Sequence, residues 1–334
     1  MDWKTWVAVG LSIVGLFLWQ FFYAQQLAQQ PPPAPPAVTE NATVGEPATA
    51  PALAAPSPAT ETVAPPATSP STETAGPVMA PRTESLRSGK SEYLFNNDTG
   101  GIEQVNLLVH LGENQDAVAL NRDRTMPIGA IGSEPGIALG GFEMKADPAK
   151  SRVIFTKTES DGLVIRKIFT LPSDDDPARE YQVGLRIEFE NPTGGELQRL
   201  GYFVSAGGAA PIHVTDMPLY RRFDWGREGK MQSIDVNWFS PSQVPLLGFQ
   251  LRGAREIFAE ARDSISWAAV ASQYICTILT SPDNAGASVW AKRFDTKKQN
   301  NTPVYGIQGA MGLPGFRLAA GENKALTFDI YAGP

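Results

Sequence analysis

Side chains that could carry out chemistry are scarce in this sequence of 334 residues. Cys276 is the only cysteine, and His110 and His213 are the only histidines. A single cysteine cannot form an internal disulfide or a thiolate metal site, and two distant histidines leave few ways to assemble a zinc site or a Cys-His dyad. We therefore predict a protein without a catalytic, cofactor-binding or metal-binding site.

One dense group of residues could recognise a ligand. It comprises Arg221, Arg222, Phe223, Trp225 and Arg227. Guanidinium and aromatic groups can stack on a sugar, a peptide or a partner protein, so this cluster is a candidate partner or ligand surface. The alternative is a solvated edge of the domain with one buried ring.

Other conspicuous side chains are expected to serve packing. Cys276 lies in the apolar run from Ile275 to Leu279, which predicts a small buried hydrophobe. Trp267 and Tyr274 are likewise expected to pack in the core.

The charge balance argues against one class of partner. The chain has 28 Lys and Arg against 35 Asp and Glu, a formal net charge of −7. Nucleic-acid binding needs Lys and Arg to displace counterions from the phosphate backbone, so we expect no nucleic-acid partner.

The elements that position these residues begin with residues 1–24, which read as a transmembrane anchor. From Trp6 to Tyr23 the only clearly polar residues are Ser12 and Gln20. As a helix this stretch would span roughly 27 Å, so residues 3–23 are expected to contact lipid. A cleaved signal peptide is the alternative, and Lys4 predicts a cytoplasmic N-terminus.

Residues 25–89 are rich in Pro and Ala. Of the 28 prolines, 14 lie between residues 31 and 81, and no aromatic residue occurs from 24 to 92. Such a composition predicts a disordered, extended spacer, although a ligand for an SH3-type domain is an alternative.

Residues 90–334 show the alternation of apolar and polar residues that is typical of strands. Tyr181 to Phe189, Leu163 to Leu171 and Val105 to Leu111 alternate clearly, and residues 316–319 and 325–331 are predicted to form a hairpin. The dense turns between them favour a large antiparallel β-sandwich of the all-β class. Residues 254–261 fit either a helical stripe or an exposed connection.

Three stretches carry a family resemblance. They are SEYLFNNDTGGIEQVNL at 91–107, WAAVASQYICTILTS at 267–281 and LTFDIYAGP at 326–334. Together with the anchor and the spacer they resemble the first segment and periplasmic domain of the Gram-negative YidC membrane protein insertases. The resemblance implies a galactose-mutarotase-like β-sandwich, and five further membrane helices that carry out insertion after the Gly-Pro signature.

From this resemblance we expect the N-terminal and periplasmic part of an insertase in the bacterial inner membrane. Its partners would be the Sec translocon, its accessory subunits and nascent membrane proteins, and it would not be an enzyme. A sugar epimerase on the mutarotase fold needs a His acid and a Glu base, whereas His213 has no identifiable carboxylate partner and is expected to be exposed. The alternative function is a free-standing, membrane-tethered carbohydrate or peptide binding module.

Overall fold

The computed structural model describes residues 80–112, 115–123, 125–172, 179–213, 215–243, 250–283, 285–296 and 303–334. The predicted anchor and residues 25–79 of the predicted spacer lie outside these ranges. None of the helical segments described has the length and apolar character that a membrane crossing requires.

Strands make up most of the described chain, and short 3₁₀ segments interrupt them, among them Pro148–Lys150, Pro218–Tyr220 and Val236–Phe239. The strands are β1 (Thr83–Ser88), β2 (Ser91–Asn96), β3 (Gly101–Leu111), β4 (Ala117–Leu120), β5 (Ile131–Gly132), β6 (Glu143–Asp147), β7 (Arg152–Thr158), β8 (Val164–Thr170), β9 (Gln182–Glu190), β10 (Leu197–Arg199), β11 (Phe203–Ala209), β12 (Arg222–Arg227), β13 (Lys230–Asp235), β14 (Ser242–Gln243), β15 (Gln250–Arg252), β16 (Ile257–Ala271), β17 (Cys276–Thr280), β18 (Gly286–Asp295), β19 (Tyr305–Gly312), β20 (Phe316–Leu318) and β21 (Asn323–Gly333).

The strands form antiparallel sheets. A small sheet has the order β1-β2-β3-β4, and a large sheet of 13 strands has the order β5-β11-β19-β18-β16-β17-β21-β9-β8-β7-β6, with β12 and β13 attached beside β16. Two short pairs, β10 with β20 and β14 with β15, complete the topology. The predicted all-β class and antiparallel sandwich are confirmed.

The core forms where the small sheet faces β7 and β8 of the large sheet. Phe95 of β2 lies 6.3 Å from the ring of Phe155 and 5.5 Å from the ring of Phe169, between ring centroids. All three side chains are fully buried. These rings alternate with polar residues along their strands. Because successive side chains of a strand point to opposite faces, this alternation gives each strand one apolar face that packs in the core.

Lys167 lies inside this aromatic core with no exposed surface. Its Nζ donates to the carbonyl oxygens of Thr99, at 3.1 Å, and Gly129, at 3.4 Å. The same nitrogen is 4.3 Å from the centroid of the Phe142 ring. Because burial removes the water that stabilises an ammonium, the pKa of Lys167 is well below its usual value.

The strands predicted for the C-terminal hairpin exist but do not pair with each other. β20 pairs with β10, whereas β21 pairs with β9 and β17. Asn191 explains the divergence, since its Nδ2 donates to the carbonyl oxygens of Leu318 and Ala319, both at 3.0 Å. The prediction of a hairpin is therefore wrong, although both strands were correctly located.

The start of the β-domain and the structure of residues 254–261 also differ from the predictions. β1 pairs with β2 from Thr83 to Ser88, so the sheet begins before the predicted domain start at residue 90. The region 254–261, which fits a helical stripe in the sequence, enters the long strand β16 instead, where Ile257 pairs with Lys292. Tertiary pairing with β18 overrides the helical spacing of its apolar residues.

Candidate functional site

A cleft of about 500 Å³ opens between the small sheet and one end of the large sheet. Residues 116–123, which include all of β4, line one wall, and residues 208–213, the end of β11 and the segment that follows it, line the other. The ends of β16 and β17 and the turn between them contribute Val270, Ser272, Ile275, Cys276 and Thr277. Gly112, Thr296 and Val304 complete the lining. The cleft is thus built from β4 and from residues at the ends of β11, β16, β17, β18 and β19.

The β4 wall is an edge of the small sheet. Val118 and Leu120 are buried in the core, whereas Ala117 and Ala119 are half-exposed. This alternation fixes the register of β4, because a shift by one residue would expose the two large side chains. The strand is short, and β3 is its one neighbour in the described sheets.

Asn121 joins the end of β4 to the opposite wall. Its Nδ2 donates to the carbonyl oxygens of Glu103, at 3.0 Å, and Met126, at 3.3 Å. Its Oδ1 accepts from the backbone N–H of Gly208 at 2.7 Å and from the hydroxyl of Thr125. The backbone φ of Asn121 is +59°, a left-handed conformation that asparagine tolerates better than most residues.

Arg122 makes a second, weaker connection across the same end of the cleft. Its Nη2 donates to the carbonyl oxygen of Pro211 at 3.4 Å, and its Nε lies 3.9 Å from a carboxylate oxygen of Asp123. Both connections lie at one end of β4, so the walls are joined there.

His213 lies on the second wall beside the carboxylate of Asp216, a neighbour that the sequence pattern did not indicate. Asp216 has a buried side chain, and its Oδ2 accepts the backbone N–H groups of Ile212, at 2.8 Å, and His213, at 3.1 Å. The Nδ1 of His213 is 3.6 Å from Oδ1 of Asp216, beyond normal hydrogen-bond length. Asp216 therefore holds the loop backbone, and the expectation that His213 lacks a carboxylate neighbour is wrong.

Tyr274 packs against His213 at the mouth of this loop, with ring centroids 5.8 Å apart and nearly perpendicular rings. The side chain of Tyr274 is 57% exposed, so the prediction that it packs in the core is wrong. Its position in the tight connection between β16 and β17 explains the difference. Trp267, in β16, is half-buried and packs over Gly226, where any Cβ would overlap the indole ring.

The cluster predicted as a ligand surface is mostly buried. Phe223 is fully buried and Trp225 is 4% exposed, and their rings stack with centroids 5.7 Å apart. β12 lies between β13 and β16, so its apolar face packs in the core instead of facing solvent. Arg221, Arg222, Phe223, Trp225 and Arg227 therefore do not form the exposed stacking surface that the sequence predicted.

The arginines of this cluster have separate roles. Arg221 is 5% exposed, and burial lowers its pKa while the nearby Asp216 carboxylate opposes that shift. Arg222 pairs with Asp224 at 2.8 Å, and Arg227 pairs with Glu228 at 3.0 Å. Arg221 thus balances part of the negative charge behind the His213 loop.

Cys276 forms part of the cleft wall and is half-buried, more open than the predicted buried hydrophobe. Burial raises the pKa of its thiol, the charge of Asp224 raises it further, and Arg222 lowers it. The thiol is consequently a weak nucleophile near neutral pH, because the thiolate is the reactive form.

The cleft lining presents hydrogen-bonding groups and apolar side chains, together with the charged or reactive side chains of Asp116, Arg122, Asp123, His213 and Cys276. Within the described residues, no group of three His, Cys, Asp or Glu side chains is placed to hold a metal ion. His110 lies elsewhere, with its Nε2 3.3 Å from the Tyr181 hydroxyl. The residues that shape the cleft, Asn121 and Asp216, act mainly on backbone groups.

No protein-family model and no curated protein matches this chain. Similar solved structures include a putative aldose 1-epimerase from Escherichia coli K12, with 11% identity, a TM-score of 0.43, and coverage of 75% of this chain and 99% of that one. A galactose mutarotase-like protein from Clostridium acetobutylicum has 9% identity, a TM-score of 0.40, and coverage of 75% and 98%.

A TPR-domain containing protein from Parabacteroides distasonis has 11% identity and a TM-score of 0.44 over 76% of this chain, which spans 47% of that protein. None of these identities is high enough to carry a residue role or an activity over to this chain.

Proposed function

We propose that this chain is the N-terminal and periplasmic part of a membrane protein insertase, and that its β-domain acts by binding, without catalysis. In this function it assists the insertion and folding of inner-membrane proteins together with the Sec translocon and its accessory subunits. The anchor at residues 1–24 holds the domain at the membrane, with the N-terminus in the cytoplasm.

The supporting observation concerns glycines in two of the stretches that resemble the insertases. Gly100 has a φ of +61°, and a Cβ there would lie 2.8 Å from Cγ of Phe142. At Gly333 a Cβ would lie 2.9 Å from Cγ of Tyr181. The packing of this fold requires glycine at both positions, so the resemblance rests on residues with a structural task and not on composition alone.

Crosslinking in membranes tests the proposal. A photoreactive amino acid is placed, one position at a time, at the exposed residues Ile137, Leu200 and Met231 of the full chain in a bacterial inner membrane. We expect light-dependent adducts with translocon accessory subunits from at least one position. Solubilising the membrane in detergent before illumination is the control, and adducts from none of the three positions would contradict the proposal.

Topology is tested separately. A reporter that is active only after export, fused after Pro334, should give a signal, because the positive-inside rule places Lys4 in the cytoplasm. An active cytoplasmic reporter at the same position would reverse the proposed orientation.

The second candidate function is a membrane-tethered module that binds carbohydrate or peptide. The cleft of about 500 Å³ favours it, because small-ligand sites commonly have volumes of this order. If this function is correct, the isolated chain should bind a ligand saturably, and it should not need contacts with the translocon. The two functions are thus separated by the crosslinking result.

A further inference from the structure

Among the described residues, the backbone of β4 has no strand partner on the side that faces the cleft. β4 pairs with β3, and no other strand of the described residues pairs with it. The hydrogen bonds that cross to the opposite wall start at Asn121 and Arg122, just after the strand ends. The outward N–H and C=O groups of Ala117–Leu120 thus border the cleft as an unpaired edge.

We propose that the cleft binds an extended segment of another polypeptide, which adds to the open edge of β4 as a fifth strand of the small sheet. This inference rests on the proposed binding function and names the class of ligand. It follows from the chemistry of the wall, because a row of main-chain donors and acceptors at the spacing of a strand is complementary to another strand.

The length of β4 suits a short peptide segment. Four residues of a strand span about 13 Å at roughly 3.3 Å each, and a paired strand lies about 4.8 Å away. The opposite wall, residues 208–213, bounds the cleft, and the joined end at Asn121 limits its length.

The side chains around the edge select the composition of the segment. Ile212, Val270, Ile275 and Val304 line the cleft, and they favour aliphatic side chains on the peptide face that points inward. On the β4 wall, Asp116 and Asp123 outnumber Arg122, which disfavours acidic segments. The expected ligand is therefore an extended segment without acidic residues and rich in small or β-branched residues such as Val, Ala and Thr.

A sugar fits the wall less well. The described lining residues include no Trp, Tyr or Phe on which a sugar ring could stack. An edge of alternating N–H and C=O groups also has no special match to the hydroxyl pattern of a saccharide.

The only cysteine of the chain provides the measurement. Cys276 lines the cleft, so the rate of its alkylation by N-ethylmaleimide reports whether the cleft is occupied. The probe is an acetylated and amidated hexapeptide, Val-Thr-Val-Ala-Val-Thr, added to the full chain in detergent. We expect saturable protection of the thiol.

Two modified peptides separate strand pairing from simple filling of the cleft. N-methylation of two neighbouring central amides removes one N–H from each edge of the peptide, and we expect affinity to fall by about tenfold or more. A control peptide gains the same number of carbon atoms by replacing two Val with Ile, and it should protect as well as the parent.

Two variants test the location. Ala119→Glu places a charge on the open edge, and we expect the affinity for the parent peptide to fall by about tenfold or more. Ala325→Glu makes the same change at an exposed position of β21 and should leave the affinity unchanged. Denaturation midpoints of both variants establish that each is folded.

Several results would overturn the inference. These are equal protection by the methylated peptide, unchanged affinity in Ala119→Glu, the absence of protection by any of the peptides, and protection by maltotriose alone. The last result would favour the carbohydrate-binding function. Failure of the proposed insertase role is distinguishable, because it would show as missing crosslinks in membranes while peptide binding persists.

Discussion

The aromatic core and the cleft lie on two parts of the same small sheet, and they differ in their content of polar groups. Beneath β2, Phe95 packs with Phe155 and Phe169, and the one buried amine, Lys167, has carbonyl oxygens and a ring as its neighbours. Beside β4, polar side chains are common, and Asn121 holds two separate segments of backbone.

The difference shows which part of the chain determines each region. In the core, side-chain volume and alternation decide the structure, so a change in volume should be costly throughout. In the cleft, a few side chains satisfy backbone groups and leave an edge of β4 open, so a change there should alter shape and access more than stability. The predictions below test this contrast.

The largest effect is expected at the centre of the core. Phe155→Ala removes a fully buried ring that contacts three other phenylalanines. We expect the free energy of unfolding to fall by about 3–5 kcal/mol, measured by chemical denaturation. Leu200→Ala, at a residue that is 94% exposed, is the control and should change stability by less than about 0.5 kcal/mol. Similar losses for both would remove the contrast between packed and open regions.

Lys167 should make stability depend on pH. Its pKa is well below 10.5 in the folded protein, so between that depressed value and about 10.5 the unfolded chain binds more protons. Unfolding free energy should therefore rise with pH, by about 1.4 kcal/mol per pH unit, relative to Lys167→Met. The measurement is a pair of denaturation series from pH 7 to 10.

The control for this series is Lys145→Met, at an exposed lysine of β6. Its difference from the wild type should be independent of pH over the same range. A constant difference for Lys167→Met as well would mean that Lys167 keeps an ordinary pKa in the folded protein, and that its carbonyl and aromatic neighbours compensate for lost water.

Alternation in the sequence predicted the core well, because each strand there has one apolar and one polar face. Lys167 falls on the inward side of the alternating row from Leu163 to Leu171, so the same pattern predicts that this lysine is buried. Alternation could not predict partners, and the hairpin between β20 and β21 was wrong because Asn191 separates the two strands.

The candidate site was much less predictable. Arginine and aromatic residues in β12 suggested a surface, yet β12 has a neighbour on both sides. Its pairing with β13 is a local hairpin, whereas its pairing with β16 joins it to residues about forty to fifty positions away, which local sequence does not indicate. The roles of Asn121 and Asp216 were not predicted, because the hydrogen-bond partners of both side chains are backbone groups. Those of Asn121 include the amide of Gly208, far away in the sequence, and those of Asp216 lie in its own loop. A local signal did exist in each case, since Asn and Asp favour turns that bind their own backbone.

A moderate effect is expected at the joint between the cleft walls. Asn121→Ala removes hydrogen bonds to Glu103, Met126 and Gly208 and places alanine at positive φ. We expect a loss of about 2 kcal/mol in unfolding free energy and faster hydrogen exchange of the Gly208 amide. Asn121→Gly loses the same bonds without the backbone strain, so it should retain about 1 kcal/mol more. Equal exchange rates at Gly208 in wild type and variant would show that the joint does not hold the second wall.

The smallest effect concerns the reactivity of the thiol in the cleft. Burial and the Asp224 carboxylate raise the pKa of Cys276 above its usual 9.0, so alkylation of the folded chain should reach half its maximal rate above pH 9.0. Asp224→Asn removes the negative charge and should move this midpoint to lower pH, whereas Arg222→Ala removes the opposing positive charge and should move it to higher pH. Measuring alkylation rates from pH 7 to 10.5 in the three proteins checks both directions. A lower midpoint in Asp224→Asn together with a higher midpoint in Arg222→Ala would show that these two charges of β12 act on Cys276. A midpoint below pH 9.0 in the wild type would contradict the prediction and would mean that water reaches the thiol more freely than the cleft walls indicate.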